Sequence, residues 1–221
     1  MMNADQVRLM RRRDFIALLG GTAAAWPLAA PAQQRAPVIG FLSGRSPSES
    51  APLVESFRRG LRQIGLVEDR NVNIVFRWAE GRYSQLSGLA AELVKLQANV
   101  IFAAGGAPAA MAAKQATSTI PVVFLASDPV HFRLVTSLNR PGGNVTGISN
   151  LATDLPSKSM QFLRQLRPDV KVLAFLVNPT NPSAPTHAQQ ASEAAKAMGV
   201  ELHVIGAGTL TEMDKAFSEM A

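Results

Sequence analysis

Short apolar runs rich in Val, Ile and Phe alternate along the chain with stretches whose apolar residues recur every three to four positions. Residues 37–42 form the first such run, ending at Ser43-Gly44, and predict a strand. Leu53, Phe57, Leu61 and Ile64 then share one face of a helix over residues 50–64. A strand over 72–78 and a helix marked by Leu86, Leu89, Ala90, Leu93 and Leu96 repeat the pattern. The run 98–104 predicts the next strand, and Pro108 opens the next helix at a position where its missing N–H breaks no bond. Residues 120–126 and 145–149 read as two further strands, with a short helical turn over 130–138 and a turn at Pro141-Gly142-Gly143-Asn144 between them. The pattern then restarts as helix 155–166, strand 172–177, helix 182–198, strand 201–205 and helix 211–221.

Alternation of this kind implies right-handed βαβ units, hence parallel sheets with helices on both faces. The fold class expected is α/β with doubly wound parallel sheets. A boundary is expected near Asn150. Residues 36–150 offer five strands and are domain-sized. Residues 151–221 offer two strands, too few for an independent sheet. A partial second lobe is therefore expected, with further strands needed beyond Ala221. A hydrophobic content of 47% suits a packed core in which parallel strands lie under small-residue helices.

The first 32 residues stand apart from this pattern. Arg11, Arg12 and Arg13 precede Asp14-Phe15-Ile16, an apolar run continues to Ala30, and Ala30-Pro31-Ala32 supplies small residues for a signal peptidase. The arginine pair followed by x-Phe-Ile resembles a twin-arginine export signal. The run from Phe15 to Ala30 is interrupted by Gly20-Gly21 and Pro27 and is shorter than the roughly 20 apolar residues of a spanning helix. A signal cleaved near Ala32, and a mature protein in the periplasm, are the expectation.

Charge and cysteine content narrow the function classes. The chain has no cysteine, which excludes disulfides, thiolate nucleophiles, Cys-ligated zinc and a lipidated N-terminal Cys. The formal charge of +6 overstates the mature balance. Without residues 1–32 there remain 18 basic and 14 acidic residues, a net of +4. The basic residues are dispersed, with no run in the mature chain longer than Arg58-Arg59, so they read as solvated helix faces and no nucleic-acid partner is expected.

In doubly wound folds, ligands bind outside the carboxyl ends of the strands. Four such ends here are polar or glycine-rich: Ser43-Gly44, Gly105-Gly106-Ala107-Pro108, Ser127-Asp128-Pro129 and Asn178-Pro179-Thr180-Asn181. Thr146 and Ser149-Asn150 add hydroxyl and amide groups at the expected boundary. The helix opening at Pro108 directs free N–H groups at the cleft, which suits a carboxylate. Each stretch has a plainer reading too. Ser127-Asp128-Pro129 suits an Asx-type turn, and Asn181 and Ser183 suit a helix cap.

Gly105-Gly106 lacks the G-x-G-x-x-G spacing of a dinucleotide loop. His131, His187 and His203 lie in separate segments without metal-ligand spacing, and no Ser-His-Asp elbow or paired carboxylates occur at strand ends. Asp128 is the lone acid at a strand end, better suited to an amine or hydroxyl ligand than to proton transfer. No catalytic residue, metal or cofactor is expected.

Several stretches together resemble a known family. They are Trp78-Ala79-Glu80-Gly81, the run from Ala112 to Thr117, Ile120-Pro121-Val122-Val123-Phe124, Ser127-Asp128-Pro129-Val130, the run from Arg140 to Gly147, and Val177-Asn178-Pro179. In combination and order they resemble the ABC-transporter substrate-binding proteins of the tryptophan-transporter (TrpX-like) type, from about Val38 to the end. The resemblance implies a type I periplasmic-binding-protein fold: two α/β lobes joined by a hinge, with the ligand between them.

By position, the resemblance makes Ser43, Gly106, Ala107, Ser127, Asp128, Thr146, Asn178 and Asn181 the candidate ligand-binding residues. The chain departs from the family at Ala107, near which relatives carry a hydroxyl residue, and at His131-Phe132-Arg133, where relatives carry small residues. It also departs in length, since family members continue further to complete the second lobe.

The function implied is the periplasmic solute-binding component of an ABC importer. Its partners would be a small ligand, such as an amino acid, and the ABC permease subunits. A periplasmic sensor module and an α/β enzyme are the alternatives, the latter short of a nucleophile or nucleotide loop.

Overall fold

The computed structural model describes residues 36–150 and 155–220. The expected export signal and A-x-A site lie outside the described residues. Residues from Ala36 onward carry two sheets.

The first is parallel and five-stranded. It comprises β1 (Val38–Ser43), β2 (Asn73–Trp78), β3 (Val100–Ala104), β4 (Val122–Ser127) and β5 (Val145–Asn150), in the order β2-β1-β3-β4-β5. The reversal of order beside β1 makes a switch point between β1 and β3, where strand-end loops diverge. The connecting helices are α1 (Pro47–Gln63), α2 (Leu86–Lys95) and α3 (Ala107–Ala116).

Helix α1 begins three residues before the expected Ser50. Ser46 and Glu49 form a capping box there: the Ser46 hydroxyl accepts from the Glu49 N–H at 3.3 Å, and the Ser46 N–H donates to the Glu49 carboxylate at 2.8 Å.

Two cores flank this sheet. On one face α2 and α3 pack through Leu93, Ala90, Ala109 and Ala113 against Ile101, Val122 and Phe124. Alanine-rich α3 comes close to the strands because it has little side chain to accommodate. On the other face α1 covers an aromatic cluster. The fully buried Phe41 ring lies 5.2–5.6 Å from the rings of Phe57, Phe76, Trp78 and Phe102. Edge-on and tilted ring pairs of this kind add to the burial of their area.

Residues 130–138, expected as a short helical turn, form successive hydrogen-bonded turns instead. Phe132 N–H donates to the Asp128 carbonyl, Leu134 N–H donates to the Pro129 carbonyl, and Arg133 has φ 53°. Lys114 holds this loop by donating to the carbonyls of Arg133 (2.6 Å) and Leu134 (3.1 Å). The Pro141-Gly142-Gly143-Asn144 turn is anchored similarly. Gly142 and Gly143 have positive φ, and the Asn144 side-chain amide donates to the carbonyls of Ile120 and Thr117 ahead of β4.

The second sheet pairs β6 (Val172–Val177) with β7 (Glu201–Gly206) in parallel. Helices α4 (Leu155–Leu166) and α5 (Ala184–Ala197) cover one face of it, where Met160, Ala191 and Ala195 meet Leu173, Phe175 and Leu202. The continuous apolar run of β6 predicts a strand buried on both faces. Val172 is nevertheless 49% exposed, because α4 and α5 pack on the opposite face, through Leu173 and Phe175. Helix α6 (Leu210–Met220) also leaves Leu210 and Phe217 largely exposed. No described helix is long and apolar enough to cross a membrane.

Candidate functional site

A cavity of about 320 Å³ opens at the carboxyl ends of the parallel strands. Its walls come from both sheets. The five-stranded part contributes Arg45 from the loop after β1, Gly105 to Pro108 from the β3–α3 junction, Leu125 to Ser127 from the end of β4, and Asn150 from the end of β5. The two-stranded part contributes Asn181 from the β6–α5 loop, and Ser183 and His187 from the start of α5.

Local chemistry explains how these residues are held. Gly105 and Gly106 have φ of +100° and +101°, a backbone region costly for other residues. A Cβ on Gly105 would lie 2.9 Å from the Ser43 hydroxyl oxygen and 3.4 Å from the Gly44 nitrogen, so glycine lets the β3 loop lie against the β1 loop. Gly106 is the N-cap of α3. The first-turn amides of α3 have no intrahelical partner, and of the first-turn residues Ala107 and Pro108 line the cavity, with Pro108 itself lacking an N–H. The positive end of the helix dipole adds to their pull on an anion.

Of the candidate residues named from sequence, four line this cavity: Gly106, Ala107, Ser127 and Asn181. The other four do not. Ser43 is fully buried beneath it, and its hydroxyl accepts from the Arg45 N–H at 3.1 Å, so it shapes the loop that carries Arg45. Asp128 turns away at φ 45°, and its carboxylate accepts from the His131 N–H at 3.3 Å. Thr146 lies near the start of β5, opposite Val123, roughly 13 Å along the strand from Asn150 at about 3.3 Å per residue. Asn178 folds into an Asx turn, its side-chain oxygen accepting from the backbone N–H (3.0 Å) and hydroxyl (2.8 Å) of Thr180.

The cavity also recruits residues outside that set: Arg45, Ser183 and His187. Arg45 follows the β1 strand end by two positions, and its guanidinium has no hydrogen-bond or ion-pair partner among the described residues. Ser183 is 4% exposed and caps α5 without a side-chain capping bond, while its N–H is taken by the Asn181 side-chain oxygen at 2.9 Å. Its hydroxyl has no partner among the described residues. The signal that would have pointed to Ser183 and His187 is their place in the first turn of the helix following a strand end. None of His131, Phe132 and Arg133 lines the cavity, and Phe132 packs on the main core.

A second, mostly apolar cavity of about 330 Å³ lies between α4 and β6, with His187 on the wall of both. Among the described residues, no group of three or more His, Cys, Asp or Glu gathers to hold a metal ion.

Comparison with known proteins gives a consistent lineage. A sequence model of the family described as "ABC transporter substrate binding protein" matches residues 37–221. The "Tyrosine-binding protein" of Clostridioides difficile (strain R20291) is 29% identical over 168 residues, which are 75% of this chain and 48% of that protein. The ABC domain of a Streptococcus pneumoniae protein, solved in complex with L-Trp, superposes with a TM-score of 0.70 at 26% identity, covering 83% of this chain and 61% of that one. A conserved domain protein of Vibrio cholerae shares the fold with a TM-score of 0.75 at 24% identity, covering 84% and 62%. The chain thus spans about half the length of the curated relative and under two thirds of those solved ones.

Proposed function

The chain belongs to the family of ABC transporter substrate binding proteins, and we propose that it binds a small solute, of the amino-acid kind, in the cavity at the strand ends and delivers it to an ABC permease. One observation carries this reading: a single cavity draws walls from the carboxyl ends of β1, β3 and β4 and, across from them, from the first turn of α5. A solute seated there touches both sheets at once. Contacts made with both favour the arrangement that brings them together, so binding shifts the population toward a closed state that a permease can distinguish from the open one.

The two layers act as separate lobes in this reading, 36–150 and 151–221, with the crossing at Asn150. The lining groups suit recognition rather than bond-making. They are amides, hydroxyls, one guanidinium and one imidazole, and among the described residues no lining hydroxyl is hydrogen-bonded to the imidazole. The relatives' named ligands, tyrosine and L-Trp, favour an amino acid with an apolar arm. Burying about 150–250 Å² of such an arm contributes roughly 4–6 kcal/mol at about 25 cal/mol/Å². A helix N-terminus contributes only about 0.3–2 kcal/mol. Burial therefore sets affinity, and the polar lining sets orientation and selectivity.

Export completes the reading: residues 1–32 direct the chain to the periplasm through the twin-arginine route. Replacing Arg12 and Arg13 together by Lys should leave the protein in the cytoplasm; normal export of that variant would exclude this route. Calorimetric titration of the purified chain with the twenty amino acids should give saturable binding for at least one, weakened by Asn181→Ala. Flat heats across all twenty would remove the amino-acid ligand class.

A further inference from the structure

We propose that the apolar cavity between α4 and β6 is the chamber that receives the solute's arm, with His187 as the wall it shares with the strand-end cavity, so that the chain selects solutes with a bulky apolar arm. The inference rests on the solute-binding reading above and adds where selectivity arises. The two cavities differ in kind. The strand-end cavity, about 320 Å³, is lined mainly by glycines, hydroxyls, amides and a guanidinium, with Leu53 and Leu125 as its large aliphatic side chains. The cavity between α4 and β6, about 330 Å³, is walled by Met160, Leu163, Leu173 and Phe175, with Ser159 and His187 as the polar side chains on it. Small-molecule sites span about 300–1,000 Å³ and are mostly apolar, with a few polar groups that fix orientation. The strand-end cavity alone falls at the small and polar end of that range, and joined across His187 the two match it. His187 stands in the first turn of α5, where its N–H donates to the carbonyl of Ser183 at 3.2 Å. The residue bordering the apolar cavity is thereby anchored to a residue of the strand-end cavity.

The apolar cavity has a fixed floor and an uncovered rim. Met160 is 4% exposed and packs with Leu173 and Phe175 in the core of the second sheet. At the rim, Leu155 and Leu163 are 56% and 48% exposed. An apolar arm laid between them removes that surface from water together with its own, and a methyl-sized arm is too short to do so. A charged arm would lose its hydration without gaining an opposite charge, since among the described residues no Asp, Glu, Lys or Arg lines this cavity.

The test is calorimetry on the full chain with L-alanine, L-leucine and L-tryptophan. The three share one amino-acid end and differ in the arm, so the ratio of their affinities reports the chamber. L-Tryptophan should bind at least about a hundredfold more tightly than L-alanine, with L-leucine between them, as burial of an arm of about 150–250 Å² at about 25 cal/mol/Å² allows. Ser159→Trp places bulk in the chamber from an exposed position of α4 that is not on the wall of the strand-end cavity. It should cut the tryptophan-to-alanine ratio at least about tenfold. Lys158→Trp puts the same bulk on the exposed neighbour that borders neither cavity, and it should keep the wild-type ratio. Both positions are exposed, so both variants should unfold near the wild-type temperature, which separates lost recognition from lost fold. Equal binding of alanine and tryptophan by the wild type, an unchanged ratio in Ser159→Trp, or a ratio lowered as much by Lys158→Trp overturns the inference and leaves the solute-binding reading standing. No binding of any probe to the wild type overturns both.

Discussion

Replacing Gly105 by Ala tests whether the contact between the β1 and β3 loops builds the cavity. The cost has two parts. Gly105 sits at φ +100°, and an L-residue held in such a region loses on the order of 1–3 kcal/mol. The added methyl would also lie 2.9 Å from the Ser43 hydroxyl oxygen, closer than real Cβ atoms come. Ser43 is fully buried, so its hydroxyl cannot swing into water, and moving it breaks the bond from the Arg45 N–H, worth about 0.5–1.5 kcal/mol. Together these give a loss of about 2–4 kcal/mol, or a drop in Tm of about 4–16 °C for a chain of this size.

Gly106 is the internal comparison. Its φ is nearly the same at +101°, but a Cβ there meets only the Pro108 ring carbon at 3.7 Å, so Gly106→Ala should cost the backbone share alone, about 1–3 kcal/mol. Gly60 lies inside α1 with nothing within 4 Å of a Cβ, and Gly60→Ala should raise stability by about 0.5–1 kcal/mol. Denaturant and thermal unfolding followed by circular dichroism would read all three. Should Gly105→Ala prove no less stable than Gly106→Ala, the Ser43 contact is not tight and the account of the loop fails.

Other outcomes follow from single contacts. Phe41→Ala empties the centre of a four-partner aromatic cluster and should cost about 3–5 kcal/mol in denaturant unfolding; a loss under about 1 kcal/mol would mean the sheet face collapses to fill it. Ser46→Ala removes the capping box of α1 and should cost about 0.5–2 kcal/mol. The backbone and hydroxyl of Ser46 hold the Glu49 carboxyl below its ordinary range, so that stabilisation is complete above the ordinary range and fades as the pH falls through the lowered value. Glu49→Gln should flatten this acid limb of the stability profile, and an unchanged limb would contradict the cap. Burial pushes the Tyr83 hydroxyl up, and the folded state then holds its proton more tightly than the unfolded chain does. Stability should therefore fall as pH rises past about 10. Tyr83 is the only tyrosine, so tyrosinate absorbance titrates it directly, and a midpoint below 10 would refute the burial argument.

Elements defined by their own side chains could be read from the sequence. The run at β1 is apolar at successive positions because both faces of that strand are covered, and the spacing of Leu53 and Phe57 follows from one face of α1 lying on the aromatic core. Where a helix starts depends on a few polar atoms instead. Ser46-Pro47-Ser48-Glu49 carries the capping-box pattern, but an apolar periodicity that begins at Leu53 does not register it, so α1 begins earlier than expected. At residues 130–138 the apolar spacing imitates a helical turn, while Arg133 at positive φ and the clamp from Lys114 impose tighter turns. Those constraints come from tertiary contacts that no local window contains.

The site was legible where backbone position decides, and less so where side-chain direction decides. Gly106, Ala107, Ser127 and Asn181 face the cavity because strand ends and the helix turn after them must open there. Asp128 and Asn178 occupy equivalent stations, yet each spends its side-chain oxygen on a nearby backbone N–H, which a short loop satisfies more readily than a distant ligand does. Polar residues at a strand end thus divide into those that close the turn and those left over. A residue left over without a partner in its own loop is a better guide to a ligand than its polarity alone. Arg45 and Ser183 meet that condition among the described residues, and Asp128 and Asn178 do not.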